Sequence, residues 1–180
     1  MADGDPICNG DIVVIRVSDQ GDPYLHDMWL GGWLRASTTN PAAAVKLRIV
    51  STISPALGTP LSKDETIQFE PAVPIHNANN TEGAAQHLAV DGTGSPNPIF
   101  FYAGGPNNWV ISTPDDSQLR YGFATLIRCT DPDWYWSIRT IYDAHQFNLP
   151  DLMPDTATDN IVVAGARDDA RTFIFERSDA

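Results

Sequence analysis

The sequence predicts an all-β domain, and three observations lead there. Short runs rich in β-branched and aromatic residues recur along the chain, separated by clusters of Gly, Pro, Asn and Asp, the alternation expected of strands and turns. The 180 residues include 13 Gly and 14 Pro, with only 19% charged, which excludes a long helical bundle or coiled coil. No segment offers a convincing helix. The nearest candidate, Ser137 to His145, is closely bounded by Pro150 and Pro154.

A chain of this length suits one ordinary domain, taken here as residues 1–180, and its 42% hydrophobic residues permit a real core. Asp and Glu outnumber Lys and Arg 23 to 11, a net charge of −12, and Lys46 and Lys63 are the only lysines. Such a surface repels phosphates, so nucleic acid and anionic membranes are poor partners. Cys8 and Cys129 do not make a disulfide framework and read as free or half-buried thiols. Residues 1–6 show neither a basic start nor an apolar run, and no transmembrane stretch follows. The expected location is the cytoplasm, or release without a signal peptide, or secretion if the sequence is a mature form.

The strand-like runs are Ile12–Val17, Val45–Val50, Thr66–Glu70, Ile99–Tyr102, Trp109–Ser112, Phe123–Cys129, Ile161–Ala164 and Thr172–Glu176. Several alternate apolar with polar, which puts one face on a core. Read in order, the chain repeats one four-part phrase three times. Its first part is Ile15–Val17, then Phe69–Pro71, then Ile127–Cys129. The second is Tyr24-Leu25, His87-Leu88 and Tyr135-Trp136. The third is Trp33–Ala36, Phe100–Ala103 and Val162–Ala164, and the fourth Leu47–Ile49, Trp109–Ile111 and Phe173–Phe175. The fourth part recurs after 62 and 64 residues, the first after 54 and 58, the second after 63 and 48.

Three repeats of four strands, at about 10–52, 64–113 and 120–178, resemble the β-trefoil superfold across nearly the whole chain. That fold caps a six-stranded barrel with three hairpins, so each repeat supplies equivalent apolar plugs while its loops vary. A β-sandwich is the alternative. Three connections exceed what the strands need. Residues 51–65 read as an ordinary Pro/Gly linker. Residues 71–86 carry an Asn-rich tip, and 139–160 carry Phe147, Leu149, Leu152 and Met153, apolar enough to fold over the barrel.

Catalytic chemistry is sparse. There is no nucleophile elbow, phosphate loop or dinucleotide fingerprint, and no Cys-x-x-Cys. His26, His76, His87 and His145 lack the spacing of a metal site. Asp115-Asp116, Asp131-x-Asp133 and Asp168-Asp169 are best read as turn chemistry. No catalytic residue, metal or cofactor is therefore expected, and the chain is read as a binding protein.

Binding chemistry is richer, with five Trp and five Tyr in a chain of few charges. Sugars stack an apolar C–H face on an aromatic ring while Asp, Asn or Gln hold the hydroxyls. Trp109 and Trp136 fall at repeat-equivalent positions and are expected in the core. Trp29, Trp33 and Trp134 lie in or beside Gly-, Asp- and Pro-rich loops, near Asp27, Asp131 and Asp133. The stretch from Gln86-His87-Leu88-Ala89-Val90-Asp91-Gly92 to Asn107-Asn108-Trp109 resembles the ricin-type lectin repeat, which runs from a Leu-Asp-x strand to a Gln-x-Trp close. Where that family places its sugar-binding Asp, this chain has His26, Ala89 and Ser137. The resemblance implies glycans or glycoproteins as partners and carries over Asp91, Tyr102 and Asn108, to which the loop reading adds Asp27, Trp33 and Trp134 as candidate ligand-binding residues. A homodimer is compatible with this.

A second resemblance is to trefoil protease inhibitors of the soybean Kunitz and fungal cysteine-protease types, in which protruding loops block an enzyme's cleft. It implies a protease as alternative partner, met through loop 72–85 or 139–160. Asn77, Asn79 and Asn80 would suit an asparagine-specific protease. A scaffold or actin-binding trefoil is a third class.

Overall fold

The structure is a computed structural model describing residues 4–18, 21, 23–27, 33–73, 86–90, 92, 97–102, 106–113, 118–130, 133–141 and 159–178. Among the described residues, twelve strands form one antiparallel sheet: β1 Ile12–Val17, β2 Tyr24–Asp27, β3 Leu34–Thr38, β4 Leu47–Ser51, β5 Thr66–Pro71, β6 His87–Val90, β7 Asn97–Tyr102, β8 Trp109–Ser112, β9 Ala124–Thr130, β10 Asp133–Ile141, β11 Asp159–Gly165 and β12 Phe173–Arg177. Only two 3-10 turns, Pro41–Ala43 and Arg167–Asp169, interrupt the strands among the described residues. No helix there is long and apolar enough to cross a membrane.

Six strands close on themselves. β1 pairs with β4, β4 with β5, β5 with β8, β8 with β9, β9 with β12, and β12 returns to β1. A closed ring leaves no edge for another chain to extend. The other six strands form the hairpins β2–β3, β6–β7 and β10–β11. These hairpins meet one another: Ile161 pairs with Arg35, Val163 with Pro98, and Trp33 with Phe100.

The far end of the ring is closed by three single residues. Ile7 donates its N–H to the Leu119 carbonyl (2.8 Å), Leu119 to Leu61 (3.0 Å), and Leu61 back to Ile7 (2.8 Å). All three side chains are fully buried. Each lies eight positions before a ring strand's phrase, at Ile15, Phe69 and Ile127.

Alternation along the strands explains the core. In β1 and β4 the inward residues Val13, Ile15, Val17, Leu47 and Ile49 are buried, while Arg16 and Arg48 face outward. Trp136 sits at the centre, edge-on to Trp109 (5.3 Å between centroids) and Phe173 (5.5 Å), and beside Phe69 (5.7 Å). Burying each such ring contributes on the order of 2–3 kcal/mol. Outside the ring, Glu176 of β12 accepts from Arg16 Nε of β1 (2.6 Å) and from Tyr24 Oη of β2 (2.7 Å), tying ring to hairpin.

The nearest helix candidate, Ser137 to His145, proves otherwise over its first part. Ser137 to Ile141 belong to β10, whose seven-residue register with β11 satisfies the backbone that a helix would have satisfied internally. Cys8 is half-buried and Cys129 buried, and both are free thiols.

Candidate functional site

A groove of about 680 Å³ opens between β10, β11 and the segment leading into β12. This falls within the range of about 300–1,000 Å³ typical of small-molecule sites. Its floor includes Val163, Ala164 and Ser137, and its rim includes Arg139, Asp168 and Asp169. The walls are tied together. Ser137 Oγ donates to the Asp169 carbonyl, and the Arg171 N–H donates to the Trp136 carbonyl (3.0 Å). The latter bond has a counterpart in the first hairpin, where Val45 donates to Leu25 (2.9 Å). In the second, the Trp109 indole donates to Leu88 (3.3 Å). Arg139, Asp168 and Asp169 are all exposed, and no ion pair joins them to one another or to other described residues. The groove thus offers guanidinium donors, carboxylate acceptors and a small apolar floor.

A second feature stands on the β4–β5 connection. Leu57 and Ile53 are 81% and 68% exposed, yet the backbone between them is pinned from behind. Buried Asn9 donates through Nδ2 to the carbonyls of Ser54 (2.9 Å) and Ala56 (3.2 Å), while its Oδ1 accepts from Ser51 N–H (2.9 Å). Gly58 N–H closes the loop on the Asn9 carbonyl (2.9 Å). Ser51 Oγ accepts from the N–H groups of Ile53 and Ser54 and donates to Glu65. Leu57 rests on Gly10, where φ is +90° and an added Cβ would stand 2.6 Å from Leu57 Cδ2. The position therefore suits glycine for both backbone and space. Such bracing holds an apolar tip outward without a disulfide.

The candidate residues read from the sequence scatter over the surface. Trp33 stands just before β3 but is only 8% exposed, and its bridge to Phe100 lies where two hairpins meet. Tyr102 is 41% exposed and stacks on Phe100 at 5.3 Å. Asn108 accepts from Gln68 Nε2 (2.9 Å). Trp134, half-buried, pairs with Cys129 across β9–β10. Asp27 ends β2. Asp91, Asn77, Asn79 and Asn80 lie outside the described residues, as do 74–85 and 142–158 of the two long loops. None of the six candidate ligand residues is among those lining the groove. Trp109 and Trp136, expected in the core, are both fully buried. The groove residues went unread because Asp168-Asp169 has the composition of a turn, and Ser137 reaches it only through β10.

Among the described residues no group of His, Cys, Asp and Glu is arranged to hold a metal ion. Two acidic groups are perturbed elsewhere. Burial, then the hydrogen bond Tyr121 donates to Asp11 (2.7 Å), pushes the Tyr121 phenol above its ordinary range. Burial and the Asp11 charge likewise push the Cys8 thiol up, which keeps it protonated and unreactive at neutral pH.

Compared by sequence, the chain matches no family model and no curated protein. Compared by structure, it is similar to an SDF2-like protein from Arabidopsis thaliana (TM-score 0.65, 7% identity, covering 96% of this chain and 95% of that one). It is also similar to the water-soluble chlorophyll protein with chlorophyll-b from Brassica oleracea (0.64, 12%, 97% and 95%). A Caenorhabditis elegans protein of unknown function matches alike (0.65, 10%, 96% and 97%). At such identities the likeness concerns the fold alone.

Proposed function

We propose that this chain is a single-domain β-trefoil that binds carbohydrate and carries no catalytic activity. The closed six-strand ring, the three hairpins beside it and the cyclic bonds of Ile7, Leu61 and Leu119 support the trefoil reading. The carbohydrate reading rests on one observation. The polar groove is built around Ser137, the third-repeat position at which the ricin-type lectin resemblance puts its sugar-holding Asp. Ser137 itself is spent on Asp169, so Asp168, Asp169 and Arg139 take over the hydroxyls. Glycans or glycoproteins are the partners this implies. A glycan array with soluble-sugar competition tests it. A competed hit lost in an Asp168→Ala/Asp169→Ala double variant supports the reading, and a blank array overturns it.

A second reading, protease inhibition, is favoured by the braced loop at 52–59, which joins the loops at 72–85 and 139–160 as a candidate inhibitory segment. Its exposed Leu57 on a pinned backbone has the form of a rigid segment that an apolar protease cleft could take in with little loss of loop entropy. Inhibition of chymotrypsin-like or papain-like proteases, abolished by Leu57→Asp, would support it. Full protease activity at micromolar protein would remove it.

A further inference from the structure

We infer that the groove beside the 3-10 turn selects sugars bearing a single carboxylate, such as uronic acids, over neutral or polysulfated ones. This inference rests on the carbohydrate reading and adds the ligand's charge to it.

Three charged side chains share the groove without satisfying one another. Arg139 stands on β10, and Asp168 and Asp169 stand on the turn before β12. All three are exposed, and none forms an ion pair among the described residues. A second guanidinium, that of Arg171, lines the same groove. The chain has 23 acidic residues against 11 basic ones.

Each ligand class meets this set differently. A neutral sugar gives its hydroxyls to Asp168 and Asp169 but leaves the Arg139 guanidinium without an anion. A polysulfated chain brings many negative charges to a protein of net charge −12, and long-range repulsion opposes its approach. A sugar with one carboxylate satisfies every member of the set. Its carboxylate can be held bidentately by the planar guanidinium, while its ring hydroxyls donate to the two aspartates. No aromatic side chain lines the groove among the described residues, so ring stacking does not compete with charge as the basis of choice.

Calorimetric titration of the full chain with galacturonic acid, its methyl ester and galactose tests this. The expected result is binding of the acid about tenfold tighter than that of the ester or galactose, the size of one charge-assisted hydrogen bond. Arg139→Gln, at an exposed strand position, is expected to erase that ratio by bringing the acid down to the affinity of the ester and galactose. Equal affinity for all three, or a ratio that survives Arg139→Gln, overturns the charge selection while carbohydrate binding itself stands. If none of the three binds and a broad glycan array is also blank, the carbohydrate reading falls and this inference falls with it.

Discussion

The Ile7 amide donates to the Leu119 carbonyl across 112 positions of sequence. Through Leu61, which joins both, that bond belongs to a cycle in which every amide and carbonyl used is satisfied. The flanking bridges follow the same rotation: Cys8 pairs with Pro60, Ser62 with Gln118, and Arg120 with Pro6. Three segments with no regular structure of their own thus seal one end of the ring by mutual hydrogen bonding around three buried aliphatic side chains.

Equivalent roles predict equivalent costs. Ile7→Ala, Leu61→Ala and Leu119→Ala should each destabilise the protein by about 2–4 kcal/mol through lost burial and a residual cavity. Chemical denaturation of the three variants measures this. One variant near wild-type stability would show that its residue is not part of a shared closure.

Asn9 should matter more than its size suggests. Asn9→Ala removes both donors to the loop carbonyls and the acceptor for Ser51 N–H, and should cost about 2–3 kcal/mol. The loop at 52–59 should also become a site of limited proteolysis. An uncut loop in a destabilised variant would mean that Ser51 and Glu65 suffice to hold it.

Tyr121 makes stability sensitive to alkali. Its phenol ionises at higher pH in the folded chain than in the unfolded one, so above the ordinary phenol range near pH 10 the unfolded state loses its proton first. The stabilisation is complete below that range and declines as pH rises through it. Urea titrations between pH 8 and about 11 should show the decline, and Tyr121→Phe should flatten it. A variant with the same slope would place the effect elsewhere.

The two core tryptophans should respond unequally to the same change. Trp109 Nε1 bonds the Leu88 carbonyl, whereas Trp136 Nε1 is buried with no hydrogen-bond partner among the described residues. Trp109→Phe should therefore cost about 1 kcal/mol more than Trp136→Phe, because only the former leaves a buried carbonyl without its donor. Thermal unfolding of both variants decides this. Equal losses would mean that cavity terms dominate.

Strand positions were legible in the sequence because a half-buried strand writes its burial into every second residue. Each of the twelve segments overlaps a strand, although Trp33 stands just before β3 and Ala103 lies outside the described residues, and Trp109 and Trp136 are core as expected. The closure residues were not legible. Ile7, Leu61 and Leu119 are single apolar positions among Pro, Ser and Gln, with no periodicity to mark them; their common spacing of eight from the next phrase was the available signal. Trp33 sits beside a Gly-rich loop in sequence, yet Phe100 of another hairpin covers it.

Sequence by itself therefore determined the all-β character and the inward face of several strands, since these follow from local patterning within a few residues. Tertiary structure alone decided which loops stand out and which side chains share a groove. Residues 51–65 read as plain linker until Asn9, more than forty positions away, was seen to brace Ser54 and Ala56. Asp168 read as turn chemistry, with nothing to link it to Arg139, until β10 and the turn before β12 came together. Pairings of this kind depend on ring closure, a long-range condition that no local run of residues encodes.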